Sequence, residues 1–222
     1  MKLMIDDADV EKIKEVYQYY PVSGVTTNPS ILARVGRAPY EVLKEILYFI
    51  GPDSELHVQV LSQTAEKIVK EGYRILEELG KQTFIKIPVT REGIKAIKIL
   101  SREGVSVTAT AIYAPMQAYL AGLAGAAYVA PYINRIDNIG GNGIQVAKDI
   151  HDILKNNQLN TQVIAASFKN TKQVFELAKY GVGAATVSID VIEGFLKLDA
   201  VKSAVDQFGR DFEDICGKGF TM

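Results

Sequence analysis

Three consecutive segments decide the fold: Phe84-Ile85-Lys86-Ile87-Pro88-Val89, then Glu92–Arg102, then Val105–Ala111. The outer two are short apolar runs rich in β-branched residues, and the middle one carries its apolar residues at spacings of three and four. A strand, an amphipathic helix and a second strand form the unit from which parallel sheets are built. The same alternation extends outward in both directions. Upstream, runs at Leu3–Ile5, Gly24–Thr26 and Leu56–Val60 are separated by helical stretches at Asp9–Tyr19, Tyr40–Ile50 and Thr64–Leu79. Downstream, runs at Ala127–Tyr132, Gln162–Ala166 and Ala184–Ile189 alternate with Ala114–Ala124, Ile144–Leu154 and Thr171–Lys179.

Eight such units predict an α/β protein with a closed (β/α)8 TIM barrel, a compact one at 222 residues against the roughly 250 that are typical. A doubly wound open sheet is the competing architecture. It requires a glycine-rich phosphate loop after the first strand, and that position reads Asp6-Asp7-Ala8-Asp9, acidic and without glycine. One barrel domain over residues 1–222 is the economical organisation. A last helical stretch, Ala200–Ile215 within residues 198–216, follows the eighth unit with Val201, Ala204, Val205, Phe208 and Phe212 on one stripe. That stripe is expected to pack outside the barrel or on a neighbouring subunit.

Composition removes several classes of function. Twenty-five Lys and Arg stand against 26 Asp and Glu, a formal net charge of −1, which offers no basic field for nucleic acid or anionic membrane. The richest apolar stretch, Ala118–Ala130, is cut by Gly122 and Gly125 and falls short of the ~18 residues a membrane helix needs. Met1–Asp6 lacks the apolar core of a signal peptide. The single Cys216 can form no intramolecular disulfide, which suits a reducing, cytoplasmic setting. His57 and His151 are the only histidines and belong to no metal-ligand motif, so no metal site and no Ser/His/Asp triad is expected.

In barrel enzymes the chemistry sits where strands run into loops on the carboxyl face. Polar residues fall at those places with unusual density: Asp6, then Thr26, Thr27 and Asn28, then Gln59, Lys86, Thr110, Tyr132 and Ser167. Lys86 is the most informative, because every other member of its run is apolar. A strand there aims the ammonium into the barrel or into the helix layer, and desolvation lowers the pKa of an amine, the condition for attack on a carbonyl near neutral pH. Alternatively its stem reaches the rim and the amine pairs with Asp6. Structural alternatives exist elsewhere too. Asp6 suits the N-cap of a helix beginning near Ala8, and Asn28 before Pro29 suits a helix opening. Tyr132 with Asn134, Arg135 and Asp137 reads either as a packed aromatic beside a surface ion pair or, through Arg135 and Lys169, as part of a phosphate contact.

Taken together, Ile5-Asp6, Gly24-Val25-Thr26-Thr27-Asn28-Pro29-Ser30, Val58-Gln59-Val60, Ile85-Lys86-Ile87-Pro88, Thr110-Ala111-Ile112-Tyr113, Ala130-Pro131-Tyr132, Asn134-Arg135-Ile136-Asp137 and Ala165-Ala166-Ser167-Phe168-Lys169 closely resemble the small transaldolase family. The likeness runs from the first strand to the last helix, and it is strongest to the members that act as aldolases on fructose 6-phosphate. It implies a class I mechanism without metal or organic cofactor. Lys86 forms the imine with a ketose; Asp6, Thr26 and Asn28 serve the donor unit; Gln59, Thr110 and Tyr132 position the proton-shuttling water or hydroxyl; Arg135, Ser167 and Lys169 take the phosphate. Transaldolases of the family usually carry Glu at the place of Gln59 and Phe at the place of Tyr132. A Tyr hydroxyl there lets the enamine be protonated and dihydroxyacetone released, which favours the aldolase. Asp7, where the family more often has Thr, adds negative charge at the rim. Three functions follow from the sequence: cleavage and synthesis of fructose 6-phosphate, transfer of a dihydroxyacetone unit between sugar phosphates in the pentose phosphate pathway, and non-catalytic sugar-phosphate binding. The resemblance also implies a homo-oligomer, a pentamer or decamer, in which the last helix reaches a neighbour.

Overall fold

A computed structural model describes residues 1–221. Eight parallel strands close in chain order: β1 (Lys2–Asp6), β2 (Gly24–Thr26), β3 (Glu55–Gln59), β4 (Phe84–Pro88), β5 (Val107–Ile112), β6 (Tyr128–Pro131), β7 (Gln162–Ala165) and β8 (Ala184–Val187). Strand β8 returns to β1 in the register Lys2↔Ala184 through Ile5↔Val187, which makes the sheet a barrel and removes the open-sheet alternative. The helices are α1 (Val10–Tyr19), α2 (Pro29–Val35), α3 (Pro39–Ile50), α4 (Ala65–Leu79), α5 (Arg91–Arg102), α6 (Pro115–Leu123), α7 (Ile133–Asn138), α8 (Gly143–Asn156), α9 (Thr171–Tyr180), α10 (Ile189–Glu193) and α11 (Asp199–Cys216). This is the expected α/β architecture, a (β/α)8 barrel.

Strand parity sorts each side chain into one of two cores. Ile5, Val25, Val58, Ile85, Ile87 and Val107 face outward and pack with helix residues such as Ile13, Ile46, Ile68, Ile97 and Ile150. Their alternate neighbours fill the barrel, where Met4, Tyr128, Ala130, Ile164 and Ala184 form a separate apolar cluster against Phe84. Parity on β4 therefore puts Ile85 and Ile87 under the helices and Lys86 inside. The position of β4 is fixed by α5: a Cβ on Gly93 would stand 2.0 Å from the Pro88 carbonyl oxygen, so only glycine lets the helix approach the strand this closely. The Thr90 hydroxyl caps the same helix by accepting the Gly93 N–H at 2.9 Å.

The sequence reading departs from the structure mainly at short helices. Ile189 opens α10 instead of ending the last strand, and α2, α7 and α10, of five to seven residues, are too brief to show a period. Residues 134–137 are helical, and no Arg135–Asp137 ion pair forms: Asp137 accepts from the Gly143 amide at 2.7 Å and from Gln173 Nε2 at 2.8 Å. The cap of α1 is Asp9, which accepts from the Lys12 amide, so Asp6 is released from that structural duty. Asn28 does open α2, with Pro29 in its first turn. Along α11 no residue is buried, and Val201, Val205, Phe208 and Ile215 lie largely exposed.

Beneath the mouth of the barrel lies a polar seam. His57 is fully enclosed, stacks on Phe84 at 4.5 Å, and has Nδ1 2.8 Å from the Thr108 hydroxyl and Nε2 3.2 Å from Glu55. Burial pushes its pKa down, so the neutral ring donates from Nε2 to Glu55 and accepts at Nδ1 from Thr108. Burial alone would raise the Glu55 carboxyl, but hydrogen bonds from His57 and Lys2 outweigh it and hold the group at about 2, against an ordinary 4.5. Its contribution is therefore complete above pH 4.5 and disappears as the pH falls toward 2, with about 3 kcal/mol as an upper bound because Lys2 is half exposed. Glu55→Gln should flatten stability against pH across that window, as read by urea melts at stepped pH. Equal slopes in the two proteins would assign the acid sensitivity to other carboxylates.

Candidate active site

At the carboxyl ends of the strands the barrel holds a cavity of about 190 Å³. It has room for a small polar molecule. Lys86 forms its floor and is 6% exposed. The amine donates to the Thr27 carbonyl oxygen at 2.7 Å and, among the described residues, makes no ion pair. The alternative in which it pairs with Asp6 at the rim is thus not the one realised. Burial pushes the Lys86 pKa below the usual lysine range, and the Asp6 carboxylate opposes that shift without cancelling it.

Asp6, at the end of β1, lines the same cavity. Burial raises its pKa, and Lys86, a hydrogen bond from Thr26 and the Arg34 charge offset only part of that rise. The Thr26 hydroxyl donates to Asp6 Oδ1 at 2.7 Å and lies 2.7 Å from the Thr186 hydroxyl, so a chain across β8, β2 and β1 fixes the carboxylate. Thr26 thus acts on the cavity through Asp6 and does not line it. Asn28 does line it, and its side-chain oxygen is committed to the Ser30 and Ile31 amides at 3.0 Å each. The cap and the cavity position are compatible, because capping uses the oxygen of the carboxamide and leaves its NH₂.

Tyr132 reaches the cavity from the start of α7, and its hydroxyl is 3.1 Å from that of Thr110. A local irregularity lies beside this pair. The register between β5 and β6 shifts between Ala109 and Ile112, and Ala111 takes φ 58°, a left-handed conformation that costs an alanine on the order of 1–2 kcal/mol. Ser167, after β7, lines the cavity with φ 61°. Two strained non-glycine residues at one end of the barrel match the tendency of functional sites to store such strain. Gln59 is the register partner of Lys86, and its buried side-chain oxygen has no hydrogen-bond donor among the described residues.

The rim is cationic. Arg135 lines the cavity with its guanidinium 4.6 Å over the Tyr132 ring. Lys169 is exposed and outside the lining, with its backbone N–H given to Gln173 Oε1 at 2.7 Å. The structure therefore brings together Asp6, Asn28, Lys86, Tyr132, Arg135 and Ser167 in the lining, places Thr26, Gln59 and Thr110 in contact or in register with them, and leaves Lys169 apart. Sequence reasoning overlooked Arg34 and Ser30, which also line the cavity. The signal was present: once Asn28 and Pro29 open a helix at the mouth of the barrel, positions 30, 31 and 34 share one face of it.

A closed parallel barrel whose strand-end polar side chains converge on one cavity defines the class of (β/α)8-barrel enzymes. A solved structure of a mutant flavocytochrome b2 with benzoylformate has a similar fold, with a TM-score of 0.57 and 14% identity over 78% of this chain and 50% of that one. In sequence, residues 3–219 match the Transaldolase/Fructose-6-phosphate aldolase family, and a probable transaldolase from Hydrogenobaculum sp. (strain Y04AAS1) is 39% identical over 220 residues, 99% of this chain and 100% of the relative. The chain belongs to the Transaldolase/Fructose-6-phosphate aldolase family and is an enzyme of that kind.

The electrostatics give a direct test. Lys86 should titrate below the other lysines in an NMR titration of the lysine side chains, and Asp6→Asn should move it lower still, because the carboxylate is the neighbour that raises it. An upward or absent shift in the variant would show that Asp6 does not sense the amine.

Proposed function

We propose that the protein carries out class I aldol chemistry on sugar phosphates, with Lys86 as the imine-forming amine. The observation that carries this reading is the desolvated Lys86 on the floor of a cavity that also holds one carboxylate and one phenol. The neutral amine adds to the ketose carbonyl, and the carbinolamine takes up one proton from solvent and loses water, giving a protonated imine. When the C3–C4 bond breaks, its electron pair flows into the iminium to form an enamine, the C4 hydroxyl gives up its proton and the aldehyde departs. A cavity of about 190 Å³ suits the three-carbon donor unit. Asp6, held by Thr26, and the Asn28 NH₂ bind donor hydroxyls. The Tyr132–Thr110 pair handles the proton, with the unpartnered Gln59 oxygen on the strand beside Lys86. Arg135 and Ser167 take the acidic end.

The Tyr132 hydroxyl supports release of free dihydroxyacetone, hence fructose 6-phosphate aldolase activity. Transfer of the unit to a second aldehyde phosphate, the transaldolase reaction, is favoured by the name of the 39% identical relative. Incubation with fructose 6-phosphate alone separates the two: free dihydroxyacetone marks the aldolase, and its absence until erythrose 4-phosphate is added marks the transferase. We also take the chain to act as one domain within a homo-oligomer, with the apolar stripe of α11 covered by a neighbouring copy. A monomeric mass in sedimentation would contradict this.

Lys86→Arg should abolish turnover and keep the fold, since a guanidinium retains the charge but forms no imine. Percent-level residual activity would contradict the assignment. Tyr132→Phe should slow release of dihydroxyacetone by about 10²–10⁴-fold and slow transfer to an added aldehyde less, because there a carbon electrophile replaces the proton. If both rates fall together, the hydroxyl acts before cleavage; if neither falls, it plays no part in the chemistry.

A further inference from the structure

We propose that Arg34, outside the positions that the family resemblance assigns to phosphate, is the second cation that binds the acidic end of the substrate, working with Arg135 where the sequence pattern pointed to Lys169. The proposal rests on the sugar-phosphate reading above and specifies how that site chooses its ligand. Arg34 lies in the last turn of α2 and lines the cavity that Lys86 floors. Arg135 lines it from α7. These helices follow β2 and β6, which stand four strands apart in an eight-stranded barrel, so the two guanidinium groups approach the mouth from opposite sides. Lys169 follows β7, next to β6 and on the same side as Arg135, and stays out of the lining.

The partners of the cations separate Arg34 from its neighbours. It also lines an adjoining groove of about 460 Å³, in which Arg37 bonds to Glu45 at 2.9 Å and Lys12 to Asp9 at 3.3 Å. Among the described residues, Arg34 has no carboxylate within ion-pair distance and no side-chain hydrogen bond, and Arg135 has only the face of Tyr132. The cavity is thus lined by two guanidinium groups, Arg34 and Arg135, and the Lys86 amine, against the single carboxylate of Asp6. Two unpaired guanidinium forks on opposite sides of a small mouth fit a tetrahedral dianion, which can accept two N–H bonds from each.

Calorimetric titration with inorganic phosphate tests this without any turnover. Arg34→Ala should weaken phosphate binding by at least about tenfold, the loss expected for one charge-assisted contact, whereas Lys169→Ala should change it by less than about threefold. Arg34→Lys, which keeps the charge without the fork, should fall between. In turnover, Arg34→Ala should lower kcat/KM for glyceraldehyde 3-phosphate about tenfold more than for glyceraldehyde. The proposal is overturned if the wild-type protein does not bind phosphate, if Lys169→Ala carries the loss, or if Arg34→Ala lowers both aldehydes equally. A protein that binds phosphate through Arg34 yet leaves fructose 6-phosphate intact both alone and with erythrose 4-phosphate added would sink the aldol reading while sustaining this one.

Discussion

A lysine amine enclosed where its charge is poorly solvated is the constraint from which the rest of the site follows. Lys86 is lodged inside the barrel with one carbonyl oxygen, that of Thr27, as its hydrogen-bond acceptor. Burial favours the neutral amine, and the nearby carboxylate moderates the effect. An ammonium in that place without a partner would burden folding, so the surrounding structure must be rigid enough to keep it there. The barrel supplies this: β4 is held between Gln59 of β3 and Thr108 of β5, and Gly93 seats α5 directly against the strand's end. The same rigidity keeps Asp6 at a fixed relation to the amine through the Thr26 and Thr186 hydroxyls.

The interior of the barrel is accordingly divided by depth. Toward the amino ends it is stabilised by apolar packing and by the Lys2–Glu55–His57–Thr108 chain, whose members satisfy one another. Toward the carboxyl ends the polar groups are less committed: among the described residues the Gln59 oxygen has no donor, the Tyr132 and Thr110 hydroxyls meet only each other in side-chain hydrogen bonds, and two rim arginines have no carboxylate within ion-pair distance. Uncommitted groups beside a desolvated amine are what a ligand with several hydroxyls and one dianionic end would satisfy. Strain at Ala111 and Ser167 falls on the same face, where it re-aims the strand ends toward the cavity.

The barrel was legible because its evidence is periodic. The run around Lys86 and the helix after it differ in repeat length, and the difference recurs along the chain, so strands such as Gly24–Thr26 were located to the residue. Lys86, Asp6 and Tyr132 were legible as polar residues at strand ends. What stayed hidden lacks a period. Helices α2, α7 and α10 are one or two turns long, and the bulge at Ala109–Ile112 beside the Thr110–Tyr132 pair leaves no mark in residue types. Arg34 was not singled out because it lines the cavity from a short helix, and Lys169 was named because charge is visible in sequence while the set of side chains that line the cavity is not.

The central claim is that Lys86 is the amine that joins covalently to substrate, and borohydride reduction tests it most directly. Treating the protein with borohydride in the presence of fructose 6-phosphate and mapping the adduct by peptide mass spectrometry should place one reduced ketose or dihydroxyacetone unit on Lys86, with activity lost in proportion. An adduct on another lysine, or full activity after reduction with substrate present, would contradict the account.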